Sequence, residues 1–215
     1  MKTANLIEAL VADRATSGKR VAKWMTLGLA SALVTGAMAS LALFLVALGV
    51  RADIAEALGT WRFELKVAMV LLALGLAFSL CVAWSRPVTS GRAAWRLLPL
   101  AALAVAAVAI ELAALPGAAW VARLVGSNAV VCLAAIPALA IAPLAAVLWI
   151  LRAGAPASPA LAGAAAGLLA ATAGATLYAF HCFDDSPLFV VTWYALAAVP
   201  VIALGAIVGR RLLRW

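Results

Sequence analysis

Three cysteines and a single histidine are the residues of this chain best suited to nucleophilic or soft-metal chemistry. Cys132 and Cys182 fall in separate segments, each at the edge of a long apolar run, and His181 adjoins the second. The later segment reads His181-Cys182-Phe183-Asp184-Asp185-Ser186-Pro187. Three readings of these residues stand open. The two thiols can close a disulfide if their Cα atoms come within about 4.4–6.8 Å. With His181 they make a candidate metal set, Cys132, Cys182 and His181, because thiolate and imidazole suit soft ions. They can also be two unrelated cysteines. There is no CxxC, so the usual mark of a thiol oxidase is missing. Cys81 reads as a small apolar core residue.

Other chemistry is thinly represented. The chain has no Ser-His-Asp set, no HExxH and no Gly-rich phosphate loop. One histidine leaves little room for acid–base catalysis or a multi-histidine metal centre. A transporter needs polar groups at mid-membrane depth. The candidate acid is Glu111, four residues before Leu115 at the end of its apolar run. That depth reads as interfacial, within reach of headgroups or water, or the acid reads as a partner for Arg123 or Lys66.

The elements that must position these residues are six apolar runs: Met25–Val50, Leu65–Trp84, Leu97–Leu115, Ala129–Leu151, Ala160–Phe180 and Leu188–Val208. A hydrocarbon core about 30 Å thick needs about 20 helical residues. With 68% hydrophobic residues and charge confined largely to the connections, the solvent of these helices is lipid. The expected fold is all-α, a polytopic six-helix transmembrane bundle.

Basic residues sort the connections into two sets. Lys2, Arg14, Lys19, Arg20, Lys23, Arg86, Arg92, Arg96, Arg152, Arg210, Arg211 and Arg214 lie on one side, and Arg51, Arg62, Lys66 and Arg123 on the other. Lys and Arg stay cytoplasmic during insertion, so both termini are expected inside. Cys132 and Cys182 then face an oxidising space. The net charge of +8 becomes a topology signal with an added attraction to anionic lipid, and does not call for nucleic acid. Tryptophans mark both interfaces, with Trp24, Trp84, Trp95, Trp149 and Trp215 inside and Trp61, Trp120 and Trp193 outside. Ala37-Met38-Ala39 resembles a cleavage site, but the run holding it starts too late and extends too far for a signal peptide.

Residues 1–24 form the first of two units, ahead of the transmembrane domain 25–215. Leu6, Ile7, Leu10 and Val11 make one apolar stripe, with Thr3 or Asn5 as cap and Gly18 as the expected end. Such a helix lies on lipid or docks in a groove of a soluble partner. The outer connections Arg51–Glu64 and Pro116–Asn128 fit short surface helices or plain loop equally well. Gly163, Gly167 and Gly174 share one helix face, and Gly205 and Gly209 repeat the spacing, which favours close packing within the bundle over dimerisation. Pro137, Pro143 and Pro200 are expected to kink their helices.

Four stretches together resemble the NrsF-type integral membrane anti-sigma factors, negative regulators of an extracytoplasmic-function (ECF) sigma factor. They are MKTANLIEALVAD, LRAGAPASPALAGAAAGLLA, LYAFHCFDDSPLFVVTWY and GRRLLRW, and they extend from end to end. The resemblance implies six spans, an N-terminal cytoplasmic segment that retains the sigma factor, and two outer cysteines that take part in signal perception. These fall at Cys132 and Cys182, while Phe183 stands where a Pro or another small or polar residue is expected. The implied protein is no enzyme. It has no resident cofactor beyond a transient soft metal at the outer cysteines. Its partners are an ECF sigma factor and membrane lipid, with no dedicated small-molecule substrate, and its signal is metal or oxidative stress. The rival class is a membrane thiol–disulfide oxidoreductase cycling Cys132 and Cys182 with a quinone.

Overall fold

The computed structural model describes residues 3–87 and 91–214, with side chains from residue 20 onward. Lys2 and Trp215, placed inside by the sequence, lie outside the described residues. Among those described, the regular structure is helical throughout. The elements are α1 (Thr3–Ala47), α2 (Ile54–Ala57), α3 (Trp61–Trp84), α4 (Leu98–Ala114), α5 (Trp120–Val125), α6 (Ala129–Leu151), α7 (Pro159–Ala179), α8 (Pro187–Phe189) and α9 (Ala195–Leu212). One turn of π-helix, Val190–Tyr194, joins α8 to α9 into a single crossing. Among the described residues, six helical stretches are long and apolar enough to span a membrane, and each overlaps one of the six runs of the sequence.

Local signals explain the ends. Thr60 caps α3 by accepting a hydrogen bond from the Phe63 amide at 3.4 Å. Ser158 does the same for α7 from the Leu161 amide at 3.4 Å, with Pro159 in the first helical position. The two connections expected on the outside hold short helices, α2 in one and a 3-10 turn (Gly117–Ala119) followed by α5 in the other. One expectation fails. The first helix does not stop at Gly18 but continues unbroken from Thr3 into the membrane. A single glycine inside a helix costs only about 1 kcal/mol, which the flanking turns outweigh.

Helix α7 is the most buried span and packs on α9, α6 and α3, while α1 packs on α6. The α7–α9 contact is made by the small-residue faces. A Cβ on Gly205 would collide with the Gly163 carbonyl, and one on Gly167 would sit 2.5 Å from the Val201 carbonyl. Without a hydrophobic drive between helices in lipid, this backbone approach supplies the attraction. Helices α1 and α6 meet where Gly36 lies on Pro143, and the Ser40 hydroxyl donates to the Leu139 carbonyl at 2.6 Å. By contrast α4 is the least buried span. Cys81 is fully buried in the core cluster that also holds Leu80, Leu148 and Leu169.

Candidate functional site

The segment from His181 to Leu188 follows α7 and leads into the last crossing. Nearly every polar group in it is tied to a different part of the bundle. The His181 Nδ1 lies 3.1 Å from the Gly49 carbonyl, past the end of α1. The Cys182 carbonyl accepts from Lys66 Nζ on α3 at 2.8 Å and from Arg51 Nη1 at 3.1 Å. Asp184 Oδ2 accepts from the amides of Ser127 and Asn128, at 3.0 and 2.8 Å, and from both their side chains. It thereby caps α6 from outside, where a carboxylate complements the helix dipole. Asp185 pairs with Lys66 and with Arg51 Nη1, the latter at 2.9 Å. Ser186 donates to Glu111 Oε2 on α4 at 2.7 Å, and the Leu188 amide donates to the same oxygen at 3.0 Å.

Cys132 on α6 and Cys182 within this segment are both buried. Cys132 and Cys182 are 0% exposed and belong to one apolar cluster with Tyr178, Phe189, Val190 and Tyr194. All three described cysteines are free thiols. The Cys182 Sγ lies 3.7 Å from the Asp184 carbonyl. Burial pushes the Cys182 thiol above its ordinary value, against the nearby Lys66 charge, which lowers it. Nucleophilicity belongs to the thiolate, so the resting residue is a protected thiol. The Tyr178 ring packs tilted against His181 at 5.8 Å and against Tyr194 at 5.8 Å. Among the described residues, no group of three or more His, Cys, Asp and Glu side chains is gathered in a way that would hold a metal.

Above the thiols sits the α5–α6 corner. Gly126 has φ +58°, a left-handed conformation that glycine adopts freely, and a Cβ there would lie 2.6 Å from the Phe189 ring. The Trp193 indole donates to the Leu124 carbonyl at 2.7 Å. Through Phe189, this corner lies against the cluster that holds the two thiols.

Three charged residues have surroundings that the sequence reading did not anticipate. Arg51 and Lys66 were counted only as charges that report topology; Arg51 lies in a connection and Lys66 on α3, and both are buried, at 7% and 1% exposure. Arg51 is held above its ordinary value, chiefly by its hydrogen bonds to Asp53, whose carboxyl is correspondingly lowered. Glu111 does not reach headgroups. It is 1% exposed, serves Ser186 and Leu188, and has Arg62 as its ion partner at 3.7 Å, in place of Arg123 or Lys66. The signal for Lys66 was available, since a lysine inside an apolar run needs a buried partner. The side chains of Leu6, Ile7, Leu10 and Val11 lie outside the described residues, although their backbone is helical.

The fold and site define a six-span helical membrane protein with two shielded thiols under an ion-paired loop. Comparison with known proteins gives the family. The family described as NrsF, negative regulator of sigma F, matches residues 10–215. The anti-sigma-F factor NrsF of Caulobacter vibrioides (strain NA1000 / CB15N) is 37% identical over 218 residues, covering all of both chains. A probable anti-sigma-F factor NrsF of Azospira oryzae (strain ATCC BAA-33 / DSM 13638 / PS) is 33% identical over 219 residues, again covering all of both. No solved structure matches. The chain belongs to the NrsF family of negative regulators of sigma F.

Proposed function

We propose that this protein is a multi-pass anti-sigma factor of the bacterial inner membrane. It holds an ECF sigma factor at the cytoplasmic face and releases it when its outer thiols are modified by metal or oxidant. The family supports the regulatory role and the kind of partner. The observation that carries the sensory part is the tethering of segment 181–188. Its bonds reach the end of α1, α3, α4 and the start of α6 at once. A covalent or metal adduct adds atoms to Cys182, which is fully buried, and a disulfide to Cys132 would draw the two sulfurs together. Accommodating either means displacing a segment to which several spans are attached.

The long first helix supplies a path to the inner face. Its 45 residues reach about 67 Å at 1.5 Å per residue, roughly twice the hydrocarbon thickness. The membrane part packs on α6, which carries Cys132, through Gly36 against Pro143 and Ser40 to Leu139. The projecting part carries the stripe Leu6, Ile7, Leu10 and Val11, read here as the sigma-binding face. With no loop between the two parts, a tilt or rotation at the α1–α6 contact moves the stripe directly. A tenfold loss of sigma affinity needs a difference of only about 1.4 kcal/mol between the two arrangements.

The test is capture of the partner. Membranes carrying the wild-type chain are expected to retain a sigma factor through solubilisation and affinity purification. Changing Leu6 and Leu10 to Asp should abolish retention while leaving insertion intact, because both positions lie before the first span. Full retention by the double variant would place the binding surface elsewhere on the inner face.

A further inference from the structure

Lys66 is a cation within a membrane span and has no contact with solvent. A residue in that position is retained only with a dedicated partner. Its partners are not the neighbours its own helix offers. Nζ reaches across to the Cys182 carbonyl, at 2.8 Å, and to the Asp185 carboxylate. Arg51 approaches the same two groups from the end of α1, with Nη1 3.1 Å from the Cys182 carbonyl and 2.9 Å from Asp185 Oδ2. Its other nitrogens hold Asp53 at 2.7 Å. Both cations also lie over the Phe63 ring, 5.1 and 5.7 Å from its centroid, which fixes their approach.

One feature goes beyond charge balance. Arg51 is shared between Asp53 and Asp185, so Lys66 supplies the second positive charge of the cluster, but balance alone does not require its Nζ to sit on a carbonyl. The backbone of Cys182 itself is the shared acceptor, so two cationic donors meet on one carbonyl. Charge-assisted bonds of this kind are about twice as strong as neutral ones. They fix the residue whose side chain points into the thiol chamber.

We propose that Lys66 is the positioning residue of the outer thiol site, gripping the Cys182 carbonyl from α3 so that the thiol stays buried until the loop is displaced. The grip makes α3 a reporter of the loop: the Cys182 backbone cannot leave its place without freeing Lys66. The inference rests on Cys182 as a sensor only for its biological use, since the grip itself is a property of the fold.

The experiment is alkylation of the purified full-length protein by a water-soluble maleimide, with each cysteine followed by peptide mass spectrometry. Lys66→Met should label Cys182 at least tenfold faster than wild type, with Cys81 unchanged. Cys81 is fully buried in the inner core and reports general loosening. The variant Lys66→Met with Asp185→Asn carries no uncompensated charge, because Arg51 keeps Asp53. It should still label Cys182 fast, whereas a role confined to balancing Asp185 predicts a return to the wild-type rate. Wild-type labelling of Cys182 in the double variant, or a parallel rise at Cys81, would overturn the proposal. Failure of the sensor reading is separable, because it shows as a normal signal response in Cys182→Ser while the labelling contrast at Lys66 persists.

Discussion

Glu111 offers a prediction whose size follows from its bonds. Oε2 accepts from the Ser186 hydroxyl and the Leu188 amide, both in a fully buried setting, and Oε1 faces Arg62 Nε at 3.7 Å without a hydrogen bond. Glu111→Gln keeps an acceptor for both donors but makes it neutral. Hydrogen bonds to charged groups contribute about 1.5–3 kcal/mol and neutral ones about 0.5–1.5, so each bond loses roughly 1–1.5 kcal/mol. For two bonds the loss is about 2–3 kcal/mol. The new amide group also turns a donor toward Arg62, which adds to that loss. At about 1.4 kcal/mol per factor of ten, the start of the last crossing should open about 30- to 150-fold more often. Hydrogen exchange by mass spectrometry on peptides containing Leu188 reads this directly. Exchange at the centre of α7 should stay at the wild-type level, and Glu64→Gln on the exposed face of α3 should change nothing at Leu188. A Glu111→Gln protein whose Leu188 peptide exchanges within twofold of wild type would refute the argument that this carboxylate anchors the outer loop.

Further outcomes follow from the same structure. Reporter fusions at Gly18, Gly91, Ala155 and Trp215 should report the cytoplasm, and those at Ala57, Ala119 and Asp185 the outside, as the basic asymmetry requires; one reversed pair would mean a miscounted span. Gly205→Ala should lower thermal stability by about 1–3 kcal/mol, since its Cβ meets the Gly163 carbonyl across the α7–α9 contact. Gly75→Ala, with open space around it, should be neutral or stabilising through its better helix propensity. Equal melting shifts in the two glycine variants would count against the close backbone approach.

The crossings were legible because a membrane imposes length and apolarity on every span. Met25–Val50 and Ala129–Leu151 are visible in composition alone, and the glycine spacing of α7 and α9 already indicated a close contact. The site was legible only in part. Cys132 and Cys182 stood out as the outer soft atoms, but nothing in their spacing said that they share one buried cluster, which depends on how α6 and α7 pack. The burial of Lys66 and Arg51 was missed because a topology rule counts cations without asking whether each has a carboxylate within reach. The partnership of Glu111 with Ser186 and Leu188 is a contact between α4 and the last crossing, and no local pattern encodes it. The unbroken α1 was hidden by Gly18, a stop signal that a long, well-packed helix overrides.

The central claim, an anti-sigma factor opened through its outer thiols, is tested most directly by measuring membrane-bound sigma factor while an oxidant or a thiol-reactive metal is titrated. Wild-type membranes are expected to hold the sigma factor at rest and lose it with increasing dose. A double variant with Cys132→Ser and Cys182→Ser should stay in one state at every dose, and Cys81→Ser should behave as wild type. A double variant with the wild-type dose response would remove both thiols from the mechanism and leave retention as the whole function.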